Sequence, residues 1–187
     1  MENVYFTVAR ETAVEIKVER SRFIAFAREV KDEEEARSFI SRIQEEHRQA
    51  THICFAYRIG QGKGERVYYS DAGEPSGTAG RPILGAICSL GLTNVAVVVV
   101  RYFGGKKLGI RGLIEAYGTA ARRALEEGGK VQRLPTREVE FHCDYAELNR
   151  LLHHIRSHGG EVLEAVYGEK VYLRAALPLQ APPFPGT

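Results

Sequence analysis

The sequence predicts an α+β protein in two domains, and three observations carry that prediction. The segment Asn94 to Tyr102 contains the run VAVVVV, and its lack of polar alternation implies a strand buried on both faces by other elements. Around it, segments that alternate polar and apolar residues interchange with segments of 3/4 apolar spacing, so strands and helices share one layered unit. Past Pro135 a strand, helix, strand, strand order begins with a shift toward acids: residues 1–134 carry 21 Lys+Arg against 17 Asp+Glu, and residues 135–187 carry 5 against 7. The expected domains are therefore 1–134 and 135–187.

In the first domain Ala13–Val18 and Ser21–Val30 alternate as half-buried strands joined tightly at Glu19-Arg20. Asp32 is placed to cap a helix whose first turn holds Glu33, Glu34 and Glu35, where the positive end of the helix dipole favours acids. Ala36, Phe39, Ile40 and Ile43 give that helix a buried stripe, which fades near His47. His52–Ile59 reads as a strand, Gly60–Glu65 as a loop and Arg66–Tyr69 as the returning strand of a hairpin. Ile83, Leu84, Ile87 and Leu90 space as a helix stopped by Gly91, with Ser76 or Thr78 as its cap. After the valine strand, a helix from Leu108 or Gly109 to Glu127 turns Leu113, Ile114, Tyr117, Ala120, Ala121 and Ala124 inward and stops at Gly128-Gly129.

In the second domain Glu138–Cys143 predicts a strand, Asp144 caps a helix to about Ser157, and Glu161–Tyr167 with Lys170–Ala176 form a hairpin at Gly168. This is most of a ferredoxin-like unit, which needs a second helix and a fourth strand. The closing LPLQAPPFPGT holds four of the seven prolines and supplies neither. The domain is expected to be incomplete and truncated, with its open edge covered by the tail or by a second copy in a homodimer.

Composition excludes several classes. Hydrophobic residues make up 44% of the 187 and charged residues 27%, which is ordinary for a globular protein and not for a disordered one. A net charge of +2 is too small for a general polyanion binder but allows a local basic patch. Cys54, Cys88 and Cys143 are odd in number and widely spaced, as in a reduced, cytoplasmic protein. The N-terminal stretch lacks the basic start and apolar run of a signal peptide, and Val95–Val100 is far short of the ~20 residues that cross a bilayer, so no membrane partner is expected.

Chemistry concentrates between Asp71 and Leu113, where two glycine-rich segments bracket a helix and the valine strand. From Pro75 to Ile114, forty residues, there is no acid, while Arg81, Arg101, Lys106, Lys107 and Arg111 supply five cations. Such a surface beside flexible backbone suits a phosphate-bearing partner. Gly104 and Gly109 stand at the G-x-x-x-x-G spacing of a P-loop, but Ile110-Arg111 replace its Lys-Ser/Thr, which removes a magnesium-binding reading. What remains is anion contact by backbone amides at a helix start near Gly109, or only a tight strand-to-helix turn. Asp71 and Glu74 are the local acids for any acid-base pair, against a reading as solvated loop residues.

His52 and Cys54 share one strand face without a third orienting group, and Cys54 reads better as a small core residue than as a nucleophile. His154 and His158 lack companion metal ligands. Tyr68, Tyr69, Tyr102 and Phe103 could stack on bases or simply pack. No catalytic residue, metal or cofactor is expected.

YSDAGEPSGTAGRPIL followed by NVAVVVVRYFGGKKLGIRGLIEAYG resembles the YigZ/Impact family over about residues 15 to 127, and the C-terminal part resembles the smaller domain of bacterial YigZ-type members. The resemblance implies an N-terminal α/β sandwich similar to domain IV of elongation factor G, with a left-handed β-α-β crossover, followed by a ferredoxin-like domain. It also implies a link to regulation of translation, which eukaryotic Impact members exert through a general-control activator protein. Transferred onto this chain, the motif gives Asp71, Gly73, Glu74, Pro75, Ser76, Gly77, Thr78, Gly80 and Arg81 in one loop. The second loop receives Arg101, Tyr102, Gly104, Gly105, Leu108, Gly109, Gly112 and Leu113. Ile110 and Arg111 depart from the small residue and glycine usual there, which makes this loop stiffer and more basic.

The expected function is a non-catalytic binding protein that contacts RNA, the ribosome or a translation-associated factor. Its contact residues are Arg81, Arg101, Tyr102, Gly104, Gly105, Lys106, Lys107, Gly109 and Arg111. The alternative is an enzyme acting on a small phosphorylated metabolite or nucleotide through the glycine-rich loops.

Overall fold

The structure, a computed structural model, describes residues 4–185. The chain divides into two compact units, one of Tyr5–Arg133 and one built on the residues from Leu134 onward.

The first unit opens with strands β1 (Tyr5–Val8), β2 (Thr12–Val18) and β3 (Ser21–Glu29), followed by helix α1 (Glu33–Glu46). Strands β4 (His52–Ile59) and β5 (Arg66–Ser70) flank a short 3-10 turn, Gly62–Gly64. Helix α2 (Gly80–Ser89), strand β6 (Val95–Tyr102), helix α3 (Gly109–Gly128) and strand β7 (Lys130–Arg133) complete it. Five strands form an antiparallel sheet in the order β2-β3-β6-β4-β5, and β1 pairs with β7 in a separate ribbon.

Central strand β6 is buried from Val95 to Arg101, and its apolar side chains alternate between two cores. Val95, Val97 and Val99 pack with Ala25, Cys54 and Ala56 beneath α2 and α3, whose Ile83, Ile87, Tyr117 and Ala121 point inward. Ala96, Val98 and Val100 pack on the other face against Phe39, Ile40 and Ile43 of α1. Each valine so buried stabilises by about 1.5–3 kcal/mol, which is why the run needs helices on both sides. Asp32 caps α1 as its position suggests, its Oδ1 accepting from the Glu35 N–H at 2.8 Å.

The topology forces an unusual connection. Strands β3 and β4 both run antiparallel to β6, hence parallel to one another, and α1 joins them on one face. Strands β5 and β6 are likewise parallel, and α2 joins them on the opposite face. The second connection retraces the sheet with the strand direction and the face both reversed, so the two crossovers have opposite hands. One of them must be left-handed, against the strong rule for β-α-β units.

The β2–β3 hairpin turns at Glu19 (φ 48°) and Arg20 (φ 71°), both in the left-handed region that a two-residue turn of this twist demands. The chain leaving β6 crosses directly over that turn at Gly104, where a Cβ would lie 2.0 Å from the Arg20 carbonyl oxygen. The ribbon of β1 and β7 is absent from the local sequence pattern, because its partners lie more than 120 residues apart, as in Tyr5 opposite Arg133.

The second unit contains β8 (Thr136–Cys143), α4 (Tyr145–Ser157), β9 (Glu161–Tyr167) and β10 (Val171–Pro178), with the sheet order β8-β10-β9. That is the ferredoxin-like arrangement with its second helix and fourth strand missing among the described residues. Asp144 differs from its expected part: its carboxylate makes no cap hydrogen bond and lies 3.7 Å from Lys170 Nζ. Among the described residues the tail adds no strand to the outer edge of β8. It folds over α4, where Ala181 and Phe184 join the core of Leu151, Ile155 and Leu173, and the Pro182 carbonyl accepts from His154 Nε2 at 3.0 Å. The outer edge of β8 carries exposed Arg137, Glu138, Glu140 and His142.

The crossing at Gly104 is testable against a glycine with free space. Gly104→Ala should lower stability by about 1–3 kcal/mol through overpacking. Gly85→Ala, exposed in α2 with nothing within 4 Å of its Cβ position, should raise it by about 0.5–1 kcal/mol. Urea midpoints of the two variants check this, and equal shifts would contradict the crossing.

Candidate functional site

The loop between β5 and α2 is organised by one carboxylate. Asp71 accepts hydrogen bonds from the backbone N–H groups of Gly77 (2.9 Å), Ala79 (3.0 Å) and Gly80 (2.8 Å). It thereby caps α2 in place of Ser76 or Thr78. Thr78 is buried, and its hydroxyl turns back to the Pro75 carbonyl at 2.5 Å, while Ser76 is exposed. Burial opposes ionisation of Asp71, but the donors from Gly77, Gly80 and Ala79 outweigh it and hold the carboxyl below its usual range. Gly77 reaches its donor position at φ 80°, a conformation that side chains resist.

Fixing the loop delivers Glu74 into the interior. Across the sheet, Phe23, Arg101 and His52 form one rung of β3, β6 and β4. Glu74 descends onto that rung, its Oε1 accepting from Arg101 Nη1 at 2.6 Å and from the Tyr117 hydroxyl of α3 at 2.8 Å. Arg101 also reaches the Ser21 hydroxyl and lies between the rings of Phe23 and Phe103. His52 places Nε2 3.7 Å from Glu74, and its Nδ1–H donates to the Ala72 carbonyl at 2.9 Å. Beneath them the Cys54 thiol donates to the Asp71 carbonyl at 3.1 Å. Burial pushes that thiol up to about 12, which makes it unfit as a nucleophile at neutral pH.

This network floors a cleft of about 420 Å³. Glu74, Arg101 and His52 lie at the bottom, and Pro75, Phe103, Leu108, Ile110 and Leu113 make it mostly apolar above. Thr51, Gly73, Lys107 and Gly109, the last of these the first residue of α3, complete it. Of the lining, Phe103 and Ile110 remain exposed, and Ile114, expected to turn inward, is exposed as well.

The predicted cations therefore separate. Arg101 is spent internally on Glu74, Lys106 pairs with Glu19 at 2.5 Å, and exposed Arg81 donates to the Tyr69 hydroxyl at 3.3 Å. Tyr102 belongs to the opposite face, with its hydroxyl 2.7 Å from His47 Nδ1. Lys107 and Arg111 form no ion pair among the described residues, and of these two Lys107 lines the cleft. Gly73 and Gly109 also line it, Gly105 sits in the open turn between, and Gly80 packs α2 onto the Ser70 backbone. Asp71 and Glu74 do not act as a pair, since one is held by backbone and the other by Arg101.

Residues 19–125 match the family described as the Impact N-terminal domain, more than half of the chain. The chain belongs to the IMPACT family. Residues 141–181 match a domain of unknown function, DUF1949. The IMPACT family member YvyE of Bacillus subtilis is 41% identical over 167 residues, 89% of this chain and 76% of that one. The IMPACT family member YigZ of Escherichia coli is 34% identical over 179 residues, 95% and 87% of the two chains. A crystal structure of a hypothetical protein superposes with a TM-score of 0.73 at 33% identity, covering 95% of this chain and 86% of that one. All residues of the cleft fall within the stretch matched to the Impact domain.

Tyr117 joins the site from a position whose sequence signal indicates only packing. An arginine ending a strand buried on both faces is the available signal for the pair: such a cation needs an acid, and Glu74 is the last one before forty acid-free residues.

Asp71→Ala should cost about 1–2 kcal/mol at pH 7, the scale of a missing helix cap. Because the folded carboxyl lies below its ordinary value of 3.8, this contribution is complete above that range and lost as pH falls through the lower folded value. Urea titrations of wild type and variant should therefore converge in strong acid. A difference that stays constant with pH would remove Asp71's charge from the account.

Proposed function

We propose that this IMPACT-family chain is a non-catalytic binding protein in the regulation of translation, docking RNA phosphate groups of the ribosome or a ribosome-associated complex on the cleft face. The observation that carries the reading is Lys107 and Arg111, two cations without an ion-pair partner among the described residues, at the start of α3. The first turn of α3 contains no acid and no side-chain cap, so its backbone donors are available to an anion. The link to translation comes from the family, through the control attributed to its eukaryotic members, and a cytoplasmic location belongs to the same proposal.

The enzyme alternative has one observation in its favour, since Glu74 faces a cleft of small-molecule size. Its carboxylate is already matched by Arg101 and Tyr117, which suits it to hold a shape and not to exchange protons with a substrate.

Binding to ribosomes or single-stranded RNA should weaken with salt, and Lys107→Glu with Arg111→Glu should lower the log-log salt slope by roughly one for each phosphate no longer neutralised. Salt-independent binding, or none at low salt, would sink the reading. Self-association along the outer edge of β8 is the accompanying proposal for oligomeric state, motivated by the absence of a partner strand there among the described residues. Sedimentation equilibrium should then give a dimer that Val139→Pro dissolves, and a monomer at all concentrations would refute it.

A further inference from the structure

We propose that the cleft above Glu74 is a nucleotide pocket that takes one unpaired nucleoside 5′-phosphate unit. The base stacks on Phe103, a base or ribose donor reaches Glu74, and the phosphate sits at Lys107. This deepens the RNA reading and rests on it for the strand-borne form, while a free mononucleotide presents the same chemistry.

Glu74 supplies the first argument. Each of its contacts, to Arg101, Tyr117 and His52, ends on Oε1. Oε2 accepts no hydrogen bond from the described residues, yet no buried side-chain polar atom among them lacks a partner. Oε2 thus keeps contact with solvent although the side chain is only 3% exposed, and the solvent it meets is in the cleft. A carboxylate oxygen in such a place asks for a donor. Because Arg101 already matches the charge, the fitting donor is neutral: a ring N–H, an exocyclic amine or a sugar hydroxyl.

The walls and mouth narrow the class. Phe103 is 46% exposed, with the Arg101 guanidinium 5.4 Å from its ring centroid, and Leu108, Ile110 and Pro75 add apolar surface around it. An aromatic face at the mouth of an apolar slot suits a planar base. Lys107 and the uncapped first turn of α3 then provide a cation and backbone donors for a phosphate at the same mouth. A purely anionic ligand would leave Glu74 unused, and a purely apolar one would leave Lys107 unused. A cleft of about 420 Å³ falls in the size range of small-ligand sites.

The test is calorimetric titration of the full chain with the four 5′-ribomononucleotides and with a short single-stranded oligoribonucleotide. Saturable mononucleotide binding is expected, weakened about tenfold by Phe103→Ala and by Glu74→Gln, with the thermal midpoint of each variant checking its fold. Phe103→Ala alters a half-exposed side chain and carries the test alone if Glu74→Gln does not fold. Removing the phosphate, by titrating the nucleosides, should weaken binding and abolish its dependence on Lys107. No saturable binding of either probe, or binding that neither variant changes, overturns the pocket. RNA binding abolished in Lys107→Glu but untouched by Phe103→Ala and Glu74→Gln overturns it while leaving the proposed function standing. Mononucleotide binding without oligonucleotide binding upholds the pocket and overturns the RNA reading.

Discussion

The buried pair of Glu74 and Arg101 is the interaction on which the first unit depends. Arg101 is the penultimate residue of β6, the last of seven buried in succession, and both partners are almost wholly enclosed, at 3% and 6% side-chain exposure. Two charges so placed cost several kcal/mol each to dehydrate, and removing either would strand the other. Such a pair therefore adds little net stability, and what it does supply is register. It locks the loop after β5 to the C-terminal end of β6, and Tyr117 extends the lock to α3. The two glycine-rich segments are consequently parts of one assembly: the first brings the acid, and the second follows the arginine.

Around that pair, Tyr117 and Cys54 are held in their protonated forms. Burial pushes the Tyr117 hydroxyl well up, and the neighbouring Cys54 and Glu74 push in the same direction. Cys54 is raised to about 12, again chiefly by burial. Both remain donors over the whole physiological range, one to Glu74 and the other to the Asp71 carbonyl. A site assembled from permanent donors and a matched carboxylate holds a fixed shape.

Much of this is legible in the chain of residues. The alternation of Ala13–Val18 and Ser21–Val30, the cap at Asp32 and the continuous valines place the sheet and the need for cover on both faces, because these are local signals of period and polarity. The ribbon of β1 and β7 is not legible, since its pairing joins ends of the unit that no local pattern connects. At the cleft, the acid-free stretch supplies most of the lining but misjudges its charge. Glu74 and Glu19 neutralise Arg101 and Lys106 from outside the stretch, a three-dimensional fact that counting along the sequence misses. Asp71 likewise reads as a possible acid or base, whereas the positions of Gly77, Ala79 and Gly80 turn it into a structural cap.

The ribbon has a consequence for how the molecule is made. Strand β1 precedes every other element of the unit in the chain, yet its partner strand, Lys130 to Arg133, follows them all. On a translating ribosome the five-stranded sheet can assemble while β1 still waits for its partner strand. Closing so long a loop carries an entropic cost of the order of (3/2)RT ln n, which favours the ribbon as a late step after the sheet has drawn its ends together. The ribbon is thus a clasp that registers completion: until Arg133 has emerged, the nascent unit has an unsatisfied first strand.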